Sequence, residues 1–154
     1  IYFGDGKLTQ CNPISEKDLS LFILSCIRDK NKWKKILPIG GPNQSLTPKN
    51  VGEMLFEIFE MTPKYRSFPT KILDVIGLFF LIGSPFSNWA KNKFELIKIA
   101  KYYATESMLA WDEDKMCYDA LKTPSTGNDT LEQYFYAIKE QKVELNIDRD
   151  SKLY

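Results

Sequence analysis

Residues 37–55, LPIGGPNQSLTPKNVGEML, contain both kinds of element from which this fold is built. The apolar run at residues 36–39 ends at Gly40-Gly41-Pro42 and predicts a short strand. Thr47 then fits a helix N-cap and Pro48 the first helical position. Five apolar side chains repeat at helical spacing after it: Val51, Met54, Leu55, Ile58 and Phe59. A short strand followed by an amphipathic helix indicates a mixed α/β fold.

The residues before this stretch predict a hairpin and a helix. Residues 1–10 alternate weakly around Gly4-Asp5-Gly6, which is a turn signal between two short strands. Ser15 fits an N-cap, and Asp18 could complete a capping-box-like arrangement. The helix that follows should bury one stripe, made of Leu19, Phe22, Ile23, Cys26 and Ile27.

Beyond residue 60 the pattern predicts three more helices between short extended segments. Residues 64–68 read as a strand or extended connection, and residues 72–82 as a buried or interfacial helix too short to span a membrane. Residues 86–101 predict a further helix, residues 108–111 a strand, and Asp129 or Thr130 the cap of a last helix. We expect a charged tail at residues 141–154. Without a regular strand-helix alternation, the fold class is a partial α/β architecture.

Composition excludes several classes of function. With 44% hydrophobic residues the chain should bury one core as a soluble globular unit, and a net charge of +1 without long blocks argues against nucleic-acid binding. The chain has no histidine, so Ser-His-Asp, Cys-His and His-rich zinc sites cannot be built from it. Cys11, Cys26 and Cys117 lack CxxC spacing and read as reduced, small core residues.

Three local motifs resemble catalytic or binding signatures, but their sequence context argues against such roles. Gly4-Asp5-Gly6 and Gly40-Gly41 come nearest to a nucleotide-binding turn, but Thr9 stands where GxGxxG requires glycine. Tyr118 and Lys122 have Tyr-x-x-x-Lys spacing, but Pro124 argues against the helix that would align them. The acidic run at residues 112–114 is better explained as a solvated turn than as a cation site.

Aromatic residues between positions 79 and 103 provide the remaining candidate site. They could line a surface for a flat macrocycle, although an ordinary core with some exposed anchors explains each of them as well. The candidate substrate-facing residues are Phe79, Phe80, Trp89, Tyr102 and Tyr103.

Several blocks, in one order and with similar separations, resemble the C-terminal half of the divinyl chlorophyllide 8-vinyl reductases, an atypical NmrA-like group of short-chain dehydrogenases. The similarity covers residues 3 to about 138. The blocks are Phe3-Gly4-Asp5-Gly6-Lys7-Leu8, Pro13-Ile14-Ser15-Glu16, Leu37-Pro38-Ile39-Gly40-Gly41-Pro42, Leu46-Thr47-Pro48, Gly52-Glu53-Met54-Leu55-Phe56, Tyr102-Tyr103-Ala104-Thr105-Glu106-Ser107-Met108-Leu109, Thr123-Pro124-Ser125 and Asp129-Thr130-Leu131-Glu132.

The resemblance implies an enzyme of chlorophyll biosynthesis in the chloroplast, in the stroma or at the thylakoid surface. Such an enzyme binds NADPH in an N-terminal Rossmann portion and reduces the 8-vinyl group to ethyl. Residues 1–140 would be the substrate-side portion that covers the tetrapyrrole, and the nucleotide-binding half is absent from this chain. Magnesium in the macrocycle would need a water, carbonyl or carboxylate ligand.

Two interpretations follow, and the start inside an expected strand without an initiator Met favours the first. In the first, it belongs to a reductase whose Rossmann portion lies elsewhere. In the second, it is a non-catalytic structural subunit of a photosynthetic membrane complex such as a photosystem, where it contacts chlorophyll or chlorophyllide. Either a Rossmann portion or a protein partner would cover the open sheet edge, and this chain alone is not expected to be catalytic.

Overall fold

The computed structural model describes residues 1–141 as a mixture of helices and very short strands, which confirms the α/β class. Of the tail expected at residues 141–154, all but Gln141 lies outside the described residues. The helices are α1 (Glu16–Arg28), α2 (Pro48–Ile58), α3 (Lys71–Gly83), α4 (Asn88–Thr105) and α5 (Leu131–Lys139), with a 3-10 turn at Lys30–Lys32. The strands are β1 (Tyr2–Phe3), β2 (Ser67–Phe68), β3 (Trp111–Asp112) and β4 (Cys117–Tyr118).

The prediction of a hairpin in residues 1–10 was wrong, because β1 pairs with β2 and not with the segment that follows it. Tyr2 lies opposite Ser67 in a parallel register. The turn itself forms, with φ of 61° at Gly4 and 75° at Gly6. The Gly6 carbonyl then accepts a hydrogen bond of 2.9 Å from the Lys49 backbone N–H, so the chain continues toward α2 instead of folding back.

The strand expected at residues 36–39 is also absent, and a single bridge between Gly40 and Ser125 takes its place. Pro38 has no N–H to donate to a ladder, so a continuous strand is disfavoured there. In the run at residues 108–111, Trp111 alone belongs to a strand, which pairs with Tyr118 in the antiparallel β3–β4 hairpin. Met108 makes one isolated parallel bridge to Cys11.

The capping predictions were largely confirmed. Ser15 caps α1, and its Oγ accepts a hydrogen bond from the Asp18 N–H at 3.0 Å. Thr47 caps α2 in a reciprocal capping box with Asn50, and Thr130, rather than Asp129, caps α5 in the same way. Helices α2 and α5 pack together, and Lys139 and Glu60 form an ion pair of 2.6 Å beside them.

Helices α3 and α4 form a hairpin and pack chiefly against each other. Asp74 and Lys101 form an ion pair at the base of this hairpin. Near the turn, small residues allow the two helices to approach closely, since a methyl group at Gly83 would lie only 3.3 Å from Ala90 Cβ. Helix α4 continues to Thr105, past the predicted end at Lys101. In the described part of the chain, no helix is long and apolar enough to cross a membrane.

The buried core is smaller than composition predicted. Among residues 1–141 the buried apolar side chains are Ile58, Leu73, Ala90 and Ala104. The prediction that α1 buries one stripe of side chains was wrong. Leu19, Ile23 and Ile27 are exposed, and Phe22 and Cys26 are half-buried. Nor do the cysteines fill a core, since Cys11 is half-buried and Cys117 exposed. Much apolar surface on α1, α3 and α4 therefore faces outward in this structure.

Candidate functional site

The five aromatic residues predicted to face substrate fall into two groups. Phe79, Phe80 and Trp89 lie where α3 turns into α4, whereas Tyr102 and Tyr103 lie in the last turns of α4. Thirteen residues of helix separate Trp89 from Tyr102, which corresponds to about 20 Å at 1.5 Å per residue. One flat ring is smaller than this separation and would contact only one group at a time.

The first group surrounds an apolar cleft of about 610 Å³. The Phe80 ring meets the Phe79 ring at a centroid distance of 5.5 Å and the Trp89 ring at 5.4 Å, both edge to face. These distances are typical of favourable aromatic pairs, so Phe80 holds its two neighbours at defined angles. Besides these rings the cleft is lined by Ile82, Gly83, Phe86, Ser87 and Ala90. An arrangement of this kind can accept a flat apolar ligand.

The second group is polar at its edge. The Tyr102 and Tyr118 hydroxyl oxygens are 3.3 Å apart, and the Tyr118 ring packs edge to face on Trp111 at 5.1 Å. The hydrogen bond with Tyr102 raises the pKa of Tyr118 above its ordinary value of 10.0. A phenol with such a pKa is neutral around neutral pH. The group can therefore offer a neutral hydroxyl and ring faces to a ligand, but no anion.

The Tyr-x-x-x-Lys spacing does not produce a catalytic pair. Tyr118 lies in β4, and Lys122 lies in the turn after it, where its backbone N–H donates to the Asp119 carbonyl at 3.2 Å. No helix places the phenol and the ammonium on one face. Lys115, by contrast, is paired with Asp119, and this contact raises the pKa of Lys115.

The acidic run was predicted to be a solvated turn, and Glu113 and Asp114 are indeed exposed. Asp112 departs from this prediction, because it is only 3% exposed. Asp112 Oδ1 accepts hydrogen bonds from the backbone N–H groups of Asp114 at 3.0 Å and Lys115 at 3.4 Å. Its carboxylate is therefore used to close the β3–β4 turn. No group of three or more His, Cys, Asp or Glu residues in the described part of the chain could hold a metal ion.

The glycine-rich turns do not fit the pyrophosphate of a dinucleotide, which requires a strand that leads directly into a helix N-terminus. Gly4 and Gly6 follow β1, but α1 begins only at Glu16. At Gly41 an added Cβ would lie 1.7 Å from the Pro13 carbonyl oxygen, so this glycine is required by the contact between two chain segments. Neither turn opens a helix that could receive a phosphate.

Asp18 is a buried carboxylate with a structural role that its sequence context does not predict. Its carboxylate does not complete the α1 capping box; Oδ2 accepts hydrogen bonds from the backbone N–H groups of Asn128 at 3.0 Å and Asp129 at 2.9 Å. The bond from Asp129, with that from Asn128, lowers the pKa of Asp18. Only the Ser-x-x-Asp spacing was visible in the sequence, and it gives no signal for a partner more than a hundred residues away.

Comparison with known proteins finds similarity to one part of the chloroplastic divinyl chlorophyllide a 8-vinyl-reductases. It is 46% identical over 139 residues to the chloroplastic divinyl chlorophyllide a 8-vinyl-reductase of Zea mays, covering 90% of this chain and 34% of that protein. It is 47% identical over 136 residues to the Arabidopsis thaliana protein of the same name, covering 88% and 32%, respectively. It is 46% identical over 136 residues to the Oryza sativa subsp. indica protein of the same name, and this match covers 88% of this chain and 33% of that protein.

Identity at this level over nearly the whole chain shows common ancestry. The chain is a homologue of part of the divinyl chlorophyllide a 8-vinyl-reductases, as its sequence blocks predicted. It spans about a third of the length of the curated relatives it matches. No family model and no solved structure matches it.

Proposed function

We propose that this chain supplies the substrate-side portion of a chloroplast reductase that converts the 8-vinyl group of divinyl chlorophyllide a to ethyl. The observation that carries this proposal is the identity of 45–47% to reductases of that name over about nine tenths of the chain. Their chloroplastic designation supports the same location for this chain. The comparisons give no support to the alternative of a structural subunit in a photosynthetic membrane complex.

NADPH would be the reductant, and it would be held outside residues 1–141. The misfit of both glycine-rich turns to a dinucleotide supports this assignment. The short strands β1 and β2 fit the margin of a larger Rossmann-type sheet, since a parallel pair of two residues each is unusual as an isolated sheet. Residues 1–140 would then form the portion that covers the tetrapyrrole.

Within this portion, we assign the contact with the ring to the cleft around Phe79, Phe80 and Trp89. The cleft is apolar and bounded by ring edges and faces, which suits a flat macrocycle. Tyr102 and Tyr103 remain candidates for a separate contact, where a neutral hydroxyl could approach a polar substituent. Binding that fixes the vinyl carbon relative to a hydride donor would contribute to rate through orientation.

Reconstitution tests this proposal. The 154-residue chain should bind divinyl chlorophyllide but not NADPH, as followed by pigment absorption and by quenching of NADPH fluorescence. When it is mixed with the part of the Arabidopsis thaliana relative that it does not match, NADPH-dependent formation of the 8-ethyl product should appear. The matched control is that relative's part alone. NADPH binding by the 154-residue chain, or a mixture that binds both ligands without forming product, would contradict the proposal.

A further inference from the structure

The turn between α3 and α4 presents a dense apolar surface that includes the cleft assigned to the pigment. We call residues 78–93 the hairpin tip. Four of its large side chains point outward, with exposed fractions of 72% for Phe79, 68% for Ile82, 90% for Phe86 and 62% for Trp89. All four border one cleft, so they form a continuous patch. Exposed patches of this kind mark surfaces that bind something.

The tip lies at the opposite end of the α3–α4 hairpin from the buried Ala104. The other end of α4 is anchored, since Ala104 is buried and lies with Tyr103 beside Tyr2 and Phe3. Fifteen helical residues separate Ala104 from Trp89, or about 22 Å. The cleft at the tip is lined by residues of the α3–α4 hairpin. The large exposed fractions of its side chains leave the tip accessible within residues 1–141.

The charges around the tip identify the kind of surface. Residues 75–94 contain two charged side chains, Lys91 and Lys93, and no Asp or Glu. Both lysines are exposed and lie in the first two turns of α4, whose N-terminal end also carries the positive end of the helix dipole. Aromatic and aliphatic residues flanked by cations are typical of segments that lie in the interface of an anionic bilayer.

We propose that, when no pigment occupies the cleft, the hairpin tip binds the surface of an anionic lipid bilayer, with Phe79, Ile82 and Phe86 inserted among the acyl chains and Lys91 and Lys93 at the level of the headgroups. Trp89 would lie at the boundary, where its amphipathic ring is favoured. Insertion is partial, because no helix in the described residues is long enough to cross the bilayer. The inference does not rest on the reductase role, since lipid binding requires neither pigment nor nucleotide.

Vesicle binding tests this inference directly. The 154-residue chain is mixed with phosphatidylcholine vesicles that contain or lack phosphatidylglycerol, and the bound fraction is measured by flotation. Binding should require phosphatidylglycerol and weaken with salt. The triple variant Phe79→Ser, Ile82→Ser, Phe86→Ser should bind at least about tenfold more weakly. In the double variant Lys91→Gln, Lys93→Gln, affinity for the phosphatidylglycerol vesicles should fall about fivefold for each charge removed.

The control removes three exposed apolar residues from another helix. On α1, the exposed residues are Leu21, Leu24 and Ile27. Replacing all three by Ser should change vesicle binding by less than about twofold. In a Trp33→Phe, Trp111→Phe background, Trp89 emission should shift to shorter wavelength when vesicles are added. Circular dichroism checks that every variant retains its helices.

Three outcomes would overturn the inference. The first is a wild-type chain that ignores both kinds of vesicle. The second is an α1 control that loses as much binding as the tip variant, because the patch at the tip would then have no special role. The third is self-association, seen as a mass that doubles with concentration and is abolished by the tip variant without vesicle binding, which would assign the tip to a second copy of the chain.

Discussion

Asp18 Oδ2 lies 2.9 Å from the backbone nitrogen of Asp129 and thereby joins the first turn of α1 to the residue before the α5 cap. Because Asn128 donates to the same oxygen, two N–H groups satisfy one buried carboxylate. At Gly127, where φ is 85°, an added Cβ would lie 2.1 Å from Asp18 Cγ. This contact therefore connects the start of α1 to the segment just before α5.

Replacing Asp18 should make stability less dependent on pH. The folded pKa of Asp18 is lowered from an ordinary value near 3.8, so its stabilising effect is fully present above that pH and is lost as the pH falls through the lower folded value. We expect Asp18→Asn to lower the melting temperature by several degrees at neutral pH and by less in acid. Glu16→Gln, an exposed change in the same turn, is the control. An equal loss at all pH values would contradict the role of the charge.

Gly41 should tolerate no side chain. An alanine Cβ would overlap the Pro13 carbonyl oxygen at 1.7 Å, and both partners are backbone or directly attached to it. We expect Gly41→Ala to destabilise the chain by about 3 kcal/mol or more, measured by urea unfolding. Gly77→Ala is the matched control, because its Cβ would lie 3.4 Å from Ile97 Cγ2, an ordinary contact between α3 and α4. That change should be neutral or stabilising by up to about 1 kcal/mol.

The side chain of Thr47 should contribute measurably to stability through its cap. Thr47→Ala removes the hydroxyl that accepts from the Asn50 N–H at 3.2 Å, at an expected cost of about 1 kcal/mol. Thr70 precedes α3 in the same position but makes no side-chain cap bond, so Thr70→Ala should change the free energy of unfolding far less. Equal effects in denaturant titrations would show that the cap bond is not the cause.

Tyr102 should control the titration of Tyr118. Since the hydrogen bond with Tyr102 is the main cause of the raised Tyr118 pKa, Tyr102→Phe should return that pKa toward its ordinary value of 10.0. Carbon NMR of labelled tyrosines at alkaline pH would follow the change. Tyr103→Phe removes a neighbouring hydroxyl whose ring contacts Tyr102, and it should leave the Tyr118 titration where it is. A shift of the same size in both variants would contradict the assignment.

The two aromatic groups should differ in pigment binding. If the ring occupies the cleft at the α3–α4 turn, Phe80→Ser with Trp89→Ser should weaken chlorophyllide binding by about tenfold or more. Tyr102→Phe with Tyr103→Phe keeps both rings and should change affinity little. Affinities are measured from pigment absorption without vesicles, so that lipid binding does not contribute. The reverse ranking would move the pigment to the second group.

The sequence by itself determined the local features of this protein. Thr47 could be recognised as a cap, and Thr130 as one of two candidates beside Asp129, because each bonds to a group three residues away and a spacing of this kind is visible in the chain. The α/β class and the relation to chlorophyllide reductases were also readable, since both follow from ordered patterns of residues.

Only the tertiary structure decided which surfaces are buried and which residues meet. Helical spacing shows that apolar side chains share a face, but burial requires another element to cover that face, and none of the described elements covers the outer sides of α1 and α3. The same reason explains the parallel pairing of β1 with β2 and the bond between Asp18 and Asp129. Both join residues more than sixty positions apart, and local spacing carries no signal for contacts at that range.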